Sequence, residues 1–232
     1  MSVQDSAETP ESPESPGTPE SPHFADEEDR RHVRERLIFF SDAVIAIAMT
    51  LLALELPVPH GETNAEVWRS FVELLPEEYL NFVISFVVIA AFWVAHHQYF
   101  RKIHVVDATL RRFNLGWLFL IVVVPFATRV NSEDGHFVLG PVLYAVVISG
   151  IALLMVLMAW HAVRARLLRA EAGTHPMRRL VVGAGAVATV FVLSIPVSFA
   201  GPSWGKYFWL LTIVVSPITS HLFERFRSRP AR

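Results

Sequence analysis

Apolar residues in this chain come in long blocks separated by short polar segments, a pattern of helices that cross a bilayer rather than of a soluble core. About 20 apolar residues at 1.5 Å each span the hydrocarbon layer. Six blocks approach that length: Leu37 to Leu56, Tyr79 to Gln98, Phe113 to Thr128, Phe137 to Trp160, Leu180 to Phe199 and Ser203 to Leu222. The pattern predicts an all-α polytopic membrane protein with six transmembrane helices per subunit. Between the first two blocks, Val67, Trp68, Phe71, Val72, Leu74 and Leu75 recur at helical spacing inside the acidic stretch Pro57 to Glu78. That spacing predicts a short amphipathic helix, either lying at the membrane interface or packed on the bundle as a lid.

Composition agrees with this reading and sets off one segment. Of the 232 residues 53% are hydrophobic and 18% charged, and the mean hydropathy is +0.40. Residues Met1 to Asp29 are instead rich in Pro, Glu and Ser, with a short repeat over Pro10 to Pro16. Such a segment cannot bury enough apolar surface to offset the entropy of ordering, so a disordered acidic tail is expected over 1–29. The membrane domain is expected over 30–225 and a basic tail over 226–232. With no separate short apolar region ahead of it, Leu37 to Leu56 is expected to act as an uncleaved anchor. The chain has no cysteine, which excludes disulfides, thiolate metal sites and a cysteine nucleophile.

Charge assigns the sidedness. The Lys and Arg residues number 20, and all but Arg69, Arg129 and Lys206 fall before the first block, after the last, or in the connections between blocks two and three and between four and five. Basic residues collect on the cytoplasmic side, so both termini are expected to be cytoplasmic. Pro125, Pro196 and Pro217 lie inside blocks, where membrane helices tolerate them. Gly183, Ala184, Gly185 and Ala186 offer a small-residue surface for close helix approach.

Against this background Asp42 stands out. An ionisable group inside a span costs roughly 2.5 to 3.5 kcal/mol on insertion scales and persists where it meets polar partners or an aqueous path. With the helices oriented as above, Arg36, Ser41 and Asp42 on span one, Trp93, His96 and His97 on span two and Asn114 on span three reach one level near the basic end. Three helices thus converge on a polar network. It reads primarily as structural, with a gating influence or a proton relay through Asp42 and a histidine as alternatives. Adjacent histidines on a helix point about 100° apart and cannot share one ion, so no metal site and no cofactor are expected.

Span one has a second face. At 100° per residue Ile47, Leu51 and Leu54 fall within about 60° of one another, with Phe40, Ala43 and Thr50 close by, whereas Asp42 is about 140° from Ile47. The apolar stripe therefore looks away from the network, toward lipid, another helix or a pore axis.

The residues Arg36-x-x-x-Phe40-Ser41-Asp42, followed by Ala-Val-Ile-Ala-Ile-Ala-Met-Thr-Leu-Leu, resemble the signature of the bacterial branch of the transmembrane protein 175 family, lysosomal-type potassium channels. The similarity extends through Phe92-Trp93-x-x-His96-His97-x-x-Phe100 and Phe113-Asn114-Leu115-x-Trp117. It implies a homotetramer in the bacterial plasma membrane, its central pore lined by the first helix of each subunit, conducting potassium and other monovalent cations. Carried over to this sequence, it implies that Ile47 is the main hydrophobic constriction, with Leu51 and Leu54 as further apolar rings. Thr50 would influence cation preference. Arg36, Phe40, Ser41, Asp42, Trp93, His96, His97 and Asn114 would form the inter-helix network.

No Thr-Val-Gly-Tyr-Gly filter is present, so selectivity is expected to be modest. Glu55 and the acidic connection after it could concentrate cations at the outer mouth, or simply be solvated charges at a helix end. Two other functions remain open on sequence grounds. A secondary cation or proton-coupled transporter would show internal repeats and broken helices, and an enzyme would show a nucleophile or metal set at matching spacing. Neither pattern is evident, and no enzymatic activity is expected.

Overall fold

The computed structural model describes residues 22–133, 137–169, 175–201 and 209. Among these the elements are α1 (Pro22–Leu54), α2 (Asn64–Leu74), α3 (Leu80–Phe100), α4 (Ala108–Glu133), α5 (Leu139–Arg164) and α6 (His175–Ala200). Five of the helices, α1 and α3 to α6, are long and apolar enough to cross a membrane. The sixth expected span, Ser203 to Leu222, lies outside the described residues except for Trp209.

Several helices run past their apolar blocks into polar sequence. Helix α4 starts at Ala108, five residues before Phe113, because Asp107 caps it: its Oδ1 accepts the Leu110 amide at 2.7 Å. Helix α1 starts at Pro22, so residues 22–29 are helical where composition alone suggested disorder. The remainder of that tail, and the basic tail over 226–232, fall outside the described residues.

The expected interfacial helix is α2, and its start is chemically specified. Thr63 Oγ1 accepts from the Glu66 amide at 3.3 Å, and Glu66 Oε2 accepts from the Thr63 amide at 3.2 Å, a reciprocal cap that satisfies two otherwise free donors. Gly61 lets the preceding loop close on this turn: a Cβ there would lie 2.6 Å from Glu66 Cβ and 2.7 Å from the Val67 nitrogen. No α2 residue is buried, which favours the interfacial reading over a lid. A π-helical turn, Leu75–Tyr79, carries α2 into α3 without a break.

The core lies between α4, α5 and α6, with α1 and α3 packed against each other and on its α4 side. Hydroxyls stitch α3, α4 and α5 inside this core. Ser85 Oγ lies 3.2 Å from Tyr144 Oη and 2.9 Å from Thr128 Oγ1. The Trp209 ring, its centroid 4.7 Å from that of Tyr144 and tilted 35° to it, and the Trp209 indole bond to Ser194 Oγ at 2.9 Å complete this layer. Helices α4 and α5 pack closely at the start of α5, since a Cβ on Gly140 would sit 2.9 Å from Asn131 Cα and Val130 O. By contrast Gly183 and Gly185 have nothing within 4 Å, so among the described residues the small-residue run of α6 is open rather than a close crossing.

At the acidic end, Glu55 is not a free carboxylate. Arg129 on α4 meets it at 3.2 Å and also bonds Glu133 at 2.8 Å, tying the end of α1 to α4.

Candidate functional site

Helix α1 divides cleanly into two faces. Ser41, Ile45, Ala48 and Leu52, spaced four, three and four residues apart, are fully buried against the bundle. On the other side Ile47 is 59% exposed, Leu51 38% and Leu54 79%, with Ala43 and Thr50 exposed beside them. Lipid tails are as apolar as leucine, so burial alone does not choose which face turns inward; packing and interhelical hydrogen bonds do. Here the polar anchor at Ser41 makes the choice.

That anchor is a directed chain of donors across three helices. His96 Nε2 on α3 lies 2.8 Å from Asn114 Oδ1 on α4, Asn114 Nδ2 donates to Ser41 Oγ at 3.0 Å, and the Ser41 hydroxyl donates to Leu37 O at 2.8 Å. Because the Asn114 amide nitrogen is committed to Ser41, its oxygen must accept, which places the proton on His96 Nε2. Ser41, His96 and Asn114 are completely buried, where each unmade bond would cost the full desolvation of its group. The His96 ring is held by stacking on Trp117 at 4.7 Å with an interplanar angle of 19°, and by Phe100 at 4.5 Å.

Asp42 forms a separate link. Its Oδ1 accepts the Trp93 indole N–H at 2.9 Å, joining α1 to α3 at the edge of the subunit, where Trp93 is 41% exposed. Of the eight network candidates the structure brings Ser41, His96 and Asn114 together in one chain and Asp42 and Trp93 in another. Among the described residues Arg36, Phe40 and His97 are not joined to either by a side-chain hydrogen bond: all three are exposed, and the His97 ring lies with its centroid 6.2 Å from that of Trp93. The buried and exposed positions of His96 and His97 follow from their 100° separation on α3.

Thr50 faces outward with the stripe, and its hydroxyl donates to Ile47 O at 2.8 Å within the helix. Its proton is thereby spent, and its oxygen lone pairs are left for whatever lies opposite. Trp117, outside the predicted network, is a buried member of the site; its place one turn beyond Asn114 is the sequence signal for it.

An apolar helix with one face anchored in a buried polar network and the other left open is the arrangement of a membrane-protein subunit whose first helix serves a surface outside its own bundle. The profile of the endosomal/lysosomal potassium channel family TMEM175 matches residues 36–125, which include both α1 faces and every member of the network. A potassium channel of Streptomyces collinus is 35% identical over 133 residues, covering 56% of this chain and 64% of that one. A potassium channel of Chamaesiphon minutus is 33% identical over 172 residues, covering 68% and 83% respectively. The crystal structure of a lysosomal potassium-selective channel TMEM175 homolog from Chamaesiphon minutus superposes with a TM-score of 0.70 at 26% identity, over 81% of this chain and 98% of that one. The chain belongs to the TMEM175 family, a family of ion channels rather than enzymes.

Proposed function

We propose that four copies of this chain form a potassium-permeable cation channel in the cell membrane, with both termini cytoplasmic and the α1 helices lining a central pore. The observation that carries the reading is the α1 face formed by Ile47, Leu51 and Leu54, exposed in the single subunit and about 120° around the helix from the buried Ser41. One subunit presents one such face and cannot enclose an axis, so a closed cyclic assembly is required.

Ile47 is the constriction. A ring of isoleucines excludes water when narrow, and conduction needs the ring to widen until a hydrated cation passes. Leu51 and Leu54 extend the apolar passage toward the acidic end. Thr50, one turn along and about 60° off the Ile47 line, turns a hydroxyl oxygen toward the passing ion and biases cation choice. Without a carbonyl cage, discrimination between potassium and sodium is modest. The network of Ser41, His96 and Asn114 sets the rotation of α1, and Asp42 with Trp93 secures its edge. Arg36, Phe40 and His97, exposed in one subunit, complete the network from the subunit surface.

The test is cation flux from liposomes holding the purified chain, with a potassium gradient and no counter-ion. Uncoupled potassium flux supports the channel. Flux that requires a co-transported or exchanged ion would instead establish the transporter, and a monomer in detergent by mass measurement would remove the central pore.

A further inference from the structure

At the basic end of the subunit the connection between α3 and α4 pairs with the connection after α5. Ile103 and Leu168 form an antiparallel bridge, flanked by Arg169 N donating to Lys102 O at 3.0 Å and His104 N to Leu167 O at 2.8 Å. Arg34 reaches this junction from α1, its Nη1 donating to Ile103 O at 3.1 Å. Three segments distant in sequence therefore bring Arg34, Lys102 and Arg169 together, with Arg31 one turn before Arg34 on the same helix.

Among the described residues no ion pair neutralises these charges. Arg169 and Arg31 both repel Arg34, and among the described residues the carboxylate that acts on Arg34 is Glu35, its chain neighbour, turned about 100° around α1. Ion pairs among the described residues are Glu55 with Arg129, Arg129 with Glu133, and Asp107 with His161; none involves this junction. Arg34 spends one of five N–H donors on a neutral carbonyl and keeps a planar fork for an oxyanion. A general excess of basic residues on one side of a membrane protein does not require such convergence, which costs repulsion unless an anion fills it.

Depth and surroundings say which anion. Arg34 precedes Leu37, the first residue of the apolar block, by three positions, about 4.5 Å along the helix, within the roughly 5 to 7 Å polar layer bordering the hydrocarbon. On the same helical face, one turn inward, lies the half-buried Ile38, apolar surface against which an acyl chain can run. We propose that the junction of Arg34, Lys102 and Arg169 binds the phosphate headgroup of an anionic phospholipid. A lipid bound there bridges the start of the pore-lining helix to the two connections on this side and relieves the repulsion between their arginines. The site stands whether or not the α1 stripe lines a pore.

Native mass spectrometry of the purified full chain in neutral detergent, titrated with phosphatidylglycerol or phosphatidylcholine, tests this. The parent is expected to retain phosphatidylglycerol in preference to phosphatidylcholine. Arg34→Gln keeps an amide donor for Ile103 O but removes the charge, and it should weaken that binding about fivefold, matching roughly 1 kcal/mol per basic residue near an anionic surface. Arg169→Gln, whose backbone bond to Lys102 is untouched, should do the same and serves alone if the Arg34 variant does not fold. Arg112→Gln, an exposed arginine of α4 near the same end, should change nothing. Equal retention of both lipids, an equal effect of all three substitutions, or binding unaffected by Arg34→Gln and Arg169→Gln would each overturn the site. Displacement by millimolar inorganic phosphate as effective as by phosphatidylglycerol would make it a free-anion site and overturn the lipid assignment.

Discussion

Asn114 holds Ser41 at 3.0 Å, so the rotation of α1 is set by an amide on α4 seventy-three positions further along the chain. The same amide oxygen holds His96 at 2.8 Å. Asn114→Leu would leave both partners buried and unpaired, at a cost of about 1 to 3 kcal/mol for each lost partner before relaxation. The expected outcome is a lower unfolding midpoint and reduced yield of the assembled protein, read by thermal denaturation and size-exclusion chromatography. Unchanged stability would mean that the chain of donors does not fix α1.

Asp42→Ala removes the hydrogen bond to Trp93, at an edge where water can compensate. A smaller loss of stability than for Asn114→Leu is expected, together with fewer assembled complexes because the Trp93 ring is freed at the subunit surface. Normal assembly with altered ion preference would instead place Asp42 on the permeation path.

Ile47→Asn should wet the constriction and raise resting potassium leak severalfold, while Ile47→Phe should suppress current, because the barrier follows the radius and polarity of the ring. Thr50→Val should keep the resting leak low and shift the potassium to sodium current ratio. Flux assays at matched protein density separate the two. A silent Ile47→Asn would move the constriction to Leu51 or Leu54.

Asp107 provides a pH-dependent contribution at the basic end. Partial burial pushes its carboxyl upward, but the amides of Leu110 and Thr109 and the His161 ring, 2.7 Å away, outweigh burial and hold it below the ordinary carboxylate value. A folded-state value below the unfolded one near 3.9 gives stability that is present above about pH 4 and lost as pH falls through the lower folded value. Asp107→Asn should therefore be less stable than the parent at pH 6, with the gap closing below about pH 4 in thermal denaturation. A gap that widens on acidification would reverse the assignment.

Two glycines should respond in opposite ways to a methyl group. Gly140→Ala drives its Cβ to within 2.9 Å of backbone atoms of Asn131 and Val130, and overpacking of this kind costs about 1 to 3 kcal/mol. Gly183→Ala meets nothing within 4 Å, and the helix preference of alanine makes it neutral to slightly stabilising. Unfolding midpoints of the two variants are the measurement.

The first five spans were legible because the membrane imposes one strong rule, that backbone groups bond within the helix. The α1 division was legible too, since a 100° rotation per residue separates Asp42 from Ile47 whatever surrounds them. Helix ends were not, because Asp107 and Pro22 extend helices into polar sequence where hydropathy gives no signal. Depth placed Arg36, His96 and His97 together, but only rotation distinguishes the buried His96 from the exposed His97 and Arg36. Bonds between connections, such as Arg34 to Ile103, join residues far apart in sequence and left no periodic trace.

The fastening of α1 at Arg34, Ser41 and Glu55 constrains how the channel can move. Ser41 and Glu55 both hold α4, and they stand about 21 Å apart along the helix, so α1 is clasped near each end to the same neighbour. A rod held at two such points cannot pivot by itself without breaking a clasp. In the proposed tetramer, widening of the passage would then be a motion of whole subunits leaning against one another, with the seams between copies, rather than the interior of each, acting as the hinge.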